Sequence, residues 1–256
     1  MKKGIVLIAL LMPLYLASAQ LPEATEIMNK SRDLTLTGSM SSNISLTITE
    51  KNGSIRERAI SIVAKSFPDG TEKRMIKFTG PADVRGTSLL VVDNKNIADE
   101  MWIYLPALKK TRRIVSSEKG KTFMSSEFSN SDMSSPAVAD FNYKHLASSG
   151  VNNMWIIEST PVSSEKADEY GYTKRVSFIK KDNLQLMKME FYNYDNQIYK
   201  IIEVIGVQPL ADGKYIIKKM DAKNLINGRS SVILFDKIAT NTEIEDSVFS
   251  LQNLEK

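Results

Sequence analysis

Over much of its length the chain places apolar residues at every second position. Leu46 and Ile48 alternate with Ser45, Thr47 and Thr49, and the period continues through Ile60, Ile62 and Ala64, then Ile76 and Phe78, and later Val176 and Phe178. Met187, Met189 and Phe191 alternate with Lys188, Glu190 and Tyr192. This alternation marks antiparallel strands buried on one face. Turn-forming clusters separate the runs at Lys51-Asn52-Gly53, Pro68-Asp69-Gly70, Asp182-Asn183, Tyr194-Asp195-Asn196, Ala211-Asp212-Gly213 and Asn227-Gly228. The spacing predicts a mainly β chain of about 10–11 strands joined mostly as a meander. That argues for one large curved sheet or barrel rather than two domains, with a sandwich as the alternative.

Some stretches break the period. Pro22 to Asp33 predicts a helix, with Pro in its first turn, Glu23 and Glu26 near its N-terminal end, and a narrow stripe of Ala24, Ile27, Met28 and Ser31. Ser116 to Ser135 is Ser-rich and irregular, and Pro136 to Ala147 reads as a short helix carrying Val138, Phe141 and Leu146. A long non-strand insertion in a β meander predicts a lid over one mouth. In Met101-Trp102-Ile103-Tyr104-Leu105-Pro106 and in Val232-Ile233-Leu234-Phe235 both faces are apolar, which predicts burial on both sides.

The N-terminus changes the picture of where the chain works. Lys2 and Lys3, the apolar run Gly4 to Leu16, and Ala17-Ser18-Ala19 have the layout of a cleavable secretory signal. Residues 1–19 are therefore expected to be removed, leaving 20–256 as one domain in a bacterial periplasm. The apolar run is too short to span a bilayer, and no later stretch reaches the roughly 18 consecutive apolar residues of a transmembrane helix. Without Lys2 and Lys3 the net charge falls from +4 to +2, because 32 basic residues then face 30 acidic ones. No nucleic-acid partner is implied by so even a balance. The chain has no Cys and one His, which excludes disulfides, thiol nucleophiles, a lipid-anchoring Cys and any site needing two imidazoles.

Candidate chemistry is correspondingly sparse. His145 has Ser and carboxylate neighbours in sequence, but no G-x-S-x-G frames a nucleophile, and its spacing to Glu127, Asp132 and Asp140 fits no metal pattern. Gly120-Lys121-Thr122 resembles the end of a P-loop, yet Val115 stands where the motif needs Gly. Neither an enzyme activity nor a metal or other cofactor is expected. Lys109, Lys110, Arg112 and Arg113 concentrate four cations in five positions; they read as a solvated hairpin tip or as a docking patch for an acidic partner or anionic headgroups. Residues 20–256 hold ten Met, an adaptable side chain suited to core or pocket.

Three blocks carry a family likeness. These are Gly80-Pro81-Ala82-Asp83-Val84-Arg85-Gly86-Thr87-Ser88-Leu89-Leu90, Met101 to Ile114, and Phe123-Met124-Ser125-Ser126-Glu127-Phe128-Ser129-Asn130-Ser131-Asp132-Met133. With Trp155 to Pro161 and Lys188 to Tyr192, they resemble the bacterial outer-membrane lipoprotein-sorting family, a branch of the LolA/LolB-like superfamily. Where that family's pattern reads M-G-S-D-F, this chain has Met124-Ser125-Ser126-Glu127-Phe128. The resemblance implies an incomplete antiparallel β-barrel, a strongly curved meander wrapped around short helices, with an apolar cavity for acyl chains. An acyl chain of about 15 methylenes loses roughly 12 kcal/mol when exposed to water, at about 0.8 kcal/mol each, so crossing an aqueous compartment requires a carrier and no covalent chemistry. Expected pocket walls are Trp102, Tyr104, Leu105, Met187, Met189 and Phe191, and expected lid residues are Met124, Phe128, Met133 and Phe141. The basic cluster would face a partner. Implied partners are lipoprotein or lipid acyl chains, an inner-membrane exporter and an outer-membrane acceptor, with the carrier itself a monomer. The same fold could instead serve an envelope interaction or sensor module; a secreted hydrolase is the remoter third reading.

Overall fold

The computed structural model describes residues 22–35, 38–94, 97–147 and 153–256, so the expected signal segment lies outside the described residues. Its strands are β1 (Ser39–Thr49), β2 (Ile55–Ser66), β3 (Glu72–Gly80), β4 (Ser88–Asp93), β5 (Glu100–Leu105), β6 (Lys110–Arg113) and β7 (Phe141–His145). They continue as β8 (Met154–Pro161), β9 (Lys174–Lys180), β10 (Leu186–Tyr192), β11 (Ile198–Pro209), β12 (Tyr215–Asn224) and β13 (Ser230–Thr240). Four short helices accompany them: α1 (Ala24–Asp33), α2 (Ser116–Lys119), α3 (Ser164–Tyr170) and α4 (Leu251–Leu254). Among the described residues no helix is long and apolar enough to cross a membrane.

All 13 strands form one antiparallel sheet in the order β6-β5-β4-β3-β2-β1-β13-β12-β11-β10-β9-β8-β7. Each neighbour follows in sequence except at β1 and β13, whose pairing (Leu46 opposite Ile233) joins the two halves. The edges β6 and β7 do not pair, so the curved sheet stays an incomplete barrel. The 27 residues between them, 114–140, must span that opening.

This insertion packs inside the curve. Phe123 and Phe128 are 2% and 1% exposed and share one core cluster with Leu46, Ile48, Phe78 and Met101 of one half and Phe191, Ile202 and Ile233 of the other. The Phe78 and Phe123 rings lie 5.7 Å apart. The expected lid is thus more deeply seated than a cover and acts as a plug. Its last part departs from expectation: Pro136 to Ala147 is not a helix but a 3-10 turn (Val138–Asp140) followed by β7. Phe141 opposite Pro161 and His145 opposite Ile157 pair β7 with β8, and ladder hydrogen bonds plus period-two burial outweigh local helix propensity there.

The outer face is covered only in part. α4 and the turn before it bring Phe249 and Leu254 against Met75, Leu90, Trp102 and Tyr104, which explains why β5 is apolar on both faces. At Val232-Ile233-Leu234-Phe235 the expectation of two buried faces fails, since Leu234 is 40% exposed and α4 packs instead over β4 and β5.

Candidate functional site

A cavity of about 220 Å³ lies between α1, the plug and the inner face of β9 to β12. Its walls are mainly apolar: Met28 from α1, Phe128 and Val138 from the plug, and Ile179, Leu186, Met189, Phe191, Ile202, Ile217 and Met220 from the strands. Tyr143, Tyr170, Tyr172 and Tyr215 add to the lining; Arg32, Asp132, Arg175 and Ser177 are among its polar members, together with Ser31 and Thr35 and the plug hydroxyls of Ser131, Ser134 and Ser135.

α1 spans the mouth because both of its ends are tied to opposite strands. His145 Nε2, on β7, hydrogen-bonds the Pro22 carbonyl oxygen at 2.7 Å, and the Tyr215 N–H, on β12, donates to the Leu34 carbonyl at 3.0 Å. Between those ties Ala24 and Ile27 are buried against Ile157 and Ile179. The lone imidazole therefore has a positioning role at the rim, where it also packs against Trp155 at 5.4 Å.

The plug forms the opposite wall and is pinned from both halves of the sheet. Asp132 pairs with Lys200 of β11 at 2.7 Å. Glu127 accepts from Asn224 Nδ2 at 2.9 Å and pairs with Arg229 at 2.9 Å, and its N–H donates to Ser231 Oγ at 3.0 Å. From the other half, Arg74 donates to the Met133 carbonyl at 3.1 Å and to Ser135 Oγ at 3.0 Å. Gly120 explains its false P-loop likeness: a Cβ there would lie 2.7 Å from Gly171 Cα, so the two glycines let α2 and α3 backbones touch beside a buried Lys119–Glu169 pair at 2.6 Å.

Burial raises the phenols of the lining. Tyr172 is pushed up to about 12, and Tyr143 and Tyr215 are raised for the same reason. Tyr170 is raised by burial and by donating to Asp140 Oδ2 at 2.7 Å. They offer neutral O–H groups at any physiological pH.

Of the expected walls Met189 and Phe191, and of the expected lid residues Phe128, line this cavity. Trp102 and Tyr104 do not; they face outward toward Leu254, because the inner side of their half is filled by Ile114 and Phe123. Leu105 and Met187 are half-buried outside the lining. Met124 and Met133 pack on the core cluster, and Phe141 is buried with its ring 4.8 Å from that of Tyr170. Sequence reasoning missed Arg175, Ser177 and Ile179: the alternation of Val176 and Phe178 marked the outer face of β9, and both faces of that strand are buried. The basic cluster sits on the exposed β5–β6 hairpin, with Lys109 in a left-handed turn at φ 46°. Arg112 pairs with Glu118 at 2.6 Å, and Arg113 with Glu100 at 3.3 Å. Charge on a short edge strand also guards it against pairing with other chains.

Residues 70–256 match the model of a family described as "Uncharacterized protein". No curated protein matches the chain. A structure described as an outer membrane lipoprotein-sorting protein domain from Vibrio parahaemolyticus superposes with a TM-score of 0.83 at 24% identity, covering 91% of this chain and 98% of the other. A DUF1329 family protein from Desulfovibrio piger gives a TM-score of 0.81 at 26% identity over 90% and 97% of the two chains. A LolA superfamily protein from Nitrosomonas europaea gives 0.71 at 15% identity over 91% and 100%. The expected fold and the likeness to lipoprotein-sorting proteins are borne out.

Proposed function

The chain belongs to the family described as "Uncharacterized protein" whose model covers residues 70–256, and from its LolA-like fold we propose that it is a periplasmic carrier of acyl chains. One observation carries the reading: a mostly apolar cavity, closed on one side by a plug and spanned on another by a helix tied at both ends. Such a space removes methylenes from water at about 0.8 kcal/mol each, and α1 is the element whose displacement would open it. Phe128, Met189 and Phe191 are the expected residues that contact the chain, and Met28, Ile202, Ile217 and Met220 join them. The cargo is a lipoprotein or lipid delivered toward the outer membrane, received from an inner-membrane exporter and given to an acceptor. The β5–β6 hairpin, where among the described residues Lys109 and Lys110 make no ion pair like those of Arg112 and Arg113, is the proposed docking point, so partner binding weakens with salt.

The test is mass spectrometry of ligand extracted from full-length protein expressed in, and purified from, a bacterial periplasm. Stoichiometric acyl-chain species are expected. Processed, well-folded protein that carries none, and takes up none when titrated with them, would falsify the carrier reading.

A further inference from the structure

We propose that the cavity selects an anionic amphiphile, a single-chain fatty carboxylate whose head is held by Arg175 while its chain lies along Ile179, Met189 and Ile202. This rests on the carrier reading and names its ligand class. Arg175, on β9, is 8% exposed and lines the cavity. Among the described residues its side chain has no ion pair or hydrogen bond; its guanidinium lies 5.5 Å over the Phe141 ring, and its buried Nε is unsatisfied.

Among the described residues every other buried cation is paired: Arg58 with Asp83 at 2.8 Å, Lys119 with Glu169 at 2.6 Å and Lys200 with Asp132 at 2.7 Å. Arg175 is the exception, and a buried charge without a counter-charge is unfavourable unless something supplies one. The groups around it ask for the same thing. Ser159 opposes Arg175 in the ladder, Ser177 lies two residues along the same face, and Tyr172 lines the same cavity. The Ser159 and Ser177 hydroxyls and the Tyr172 O–H are all buried without a hydrogen-bond partner.

Two cations face the cavity, Arg175 from β9 and Arg32 from α1. Arg32 enters from α1, its Nε buried and unsatisfied, with Asp33 no nearer than 3.9 Å. The one lining carboxylate, Asp132, is engaged by Lys200 and by the Ser129 N–H at 2.8 Å. A planar guanidinium matches a carboxylate through two parallel hydrogen bonds, with hydroxyls left for the remaining lone pairs. A neutral ester or amide would bring acceptors but leave the buried charge uncompensated.

The experiment is isothermal titration of the purified protein, freed of ligand, with dodecanoate, methyl dodecanoate, dodecyl phosphate, acetate and inorganic phosphate. Dodecanoate is expected to bind about tenfold or more tightly than its methyl ester, the scale of a charge-assisted pair, and more tightly than dodecyl phosphate. Acetate and inorganic phosphate alone are expected to give no measurable binding. In Arg175→Gln, shown folded by its thermal melt, the acid-to-ester ratio should fall toward one. Ser177→Ala, which removes an unsatisfied hydroxyl, should narrow the ratio a few-fold and serves if the arginine variant does not fold. Equal affinity for acid and ester in the wild type overturns this inference and leaves the carrier reading standing. Preferential binding of dodecyl phosphate, or binding of free phosphate alone, overturns the carboxylate assignment. Binding of no acyl ligand at all removes the carrier reading with it.

Discussion

Lys200 Nζ lies 2.7 Å from Asp132 Oδ2, and the same ammonium sits 4.3 Å from the centre of the Phe191 ring. The pair joins the plug to β11 where both side chains are nearly excluded from water, at 4% and 13% exposure. Removing one member of such a pair strands a buried charge, at about 3–5 kcal/mol. Asp132→Asn and Lys200→Met are each expected to cost about 3 kcal/mol in urea unfolding, and the double variant less than the sum. Additive losses would mean that the two groups do not act as a unit.

Ser125 stands where the lipoprotein-sorting pattern has Gly, and its φ is +62°. A left-handed backbone favours Gly, and a side chain held there is destabilising by about 1 kcal/mol. The turn matters because the Ser125 carbonyl accepts from Arg229 Nη2 at 2.6 Å, beside the anchoring Glu127. Ser125→Gly is therefore expected to raise stability by up to about 1 kcal/mol, offset in part by the greater freedom of Gly in the unfolded chain. A lowered melting temperature would show that the side chain contributes something the backbone account omits.

What the sequence made legible follows the same physics. Strands with one polar face, such as Leu46 and Ile48 on β1, declared themselves because solvent on one side enforces a period of two. β6 did not, since Lys110-Thr111-Arg112-Arg113 has no apolar face to alternate. The cavity was partly legible: Met189 and Phe191 lie on a strand with an evident period, whereas Arg175 and Ser177 face inward from a strand buried on both sides, where the polar positions mark the site rather than the surface. Trp102 and Tyr104 lie on a strand apolar on both faces, a pattern that does not say which face looks inward. Nothing local revealed that Phe249 and Leu254, some 150 residues further along, cover that face.

The Asp99 carboxyl gives a pH dependence with a definite sign. Burial pushes it up to about 6, and nearby Asp93 adds to the rise, while the Asn94 N–H donating to its Oδ1 at 2.9 Å works against it. The folded state thus binds the proton more tightly than an unfolded chain with a value of about 3.9. The stability this proton contributes is complete below about pH 4 and is lost as pH rises through about 6. Asp99→Asn keeps the acceptor oxygen and removes the charge, so it should stabilise the protein at pH 7.5 by about 1 kcal/mol once solvent screening of this half-buried group is allowed for. At pH 4 the two proteins should melt together. A gain of equal size at both pH values would assign the effect to something other than ionisation.

The cavity itself is testable by filling it. Met189 opposes Ser177 on β9 and Ile202 on β11, in the middle of the apolar wall, and its side chain meets empty space rather than packed neighbours on the cavity side. Adding volume to a close-packed core costs about 1–3 kcal/mol, but volume added toward a void displaces no protein atoms. Met189→Trp should therefore change stability by less than about 1 kcal/mol while weakening dodecanoate binding at least tenfold, since the indole occupies the path the chain would take. The two readouts separate the possibilities. Lost binding with an intact melt places the acyl chain in this space, whereas undiminished binding in a folded variant would put the chain elsewhere on the molecule and leave the cavity without the role given to it.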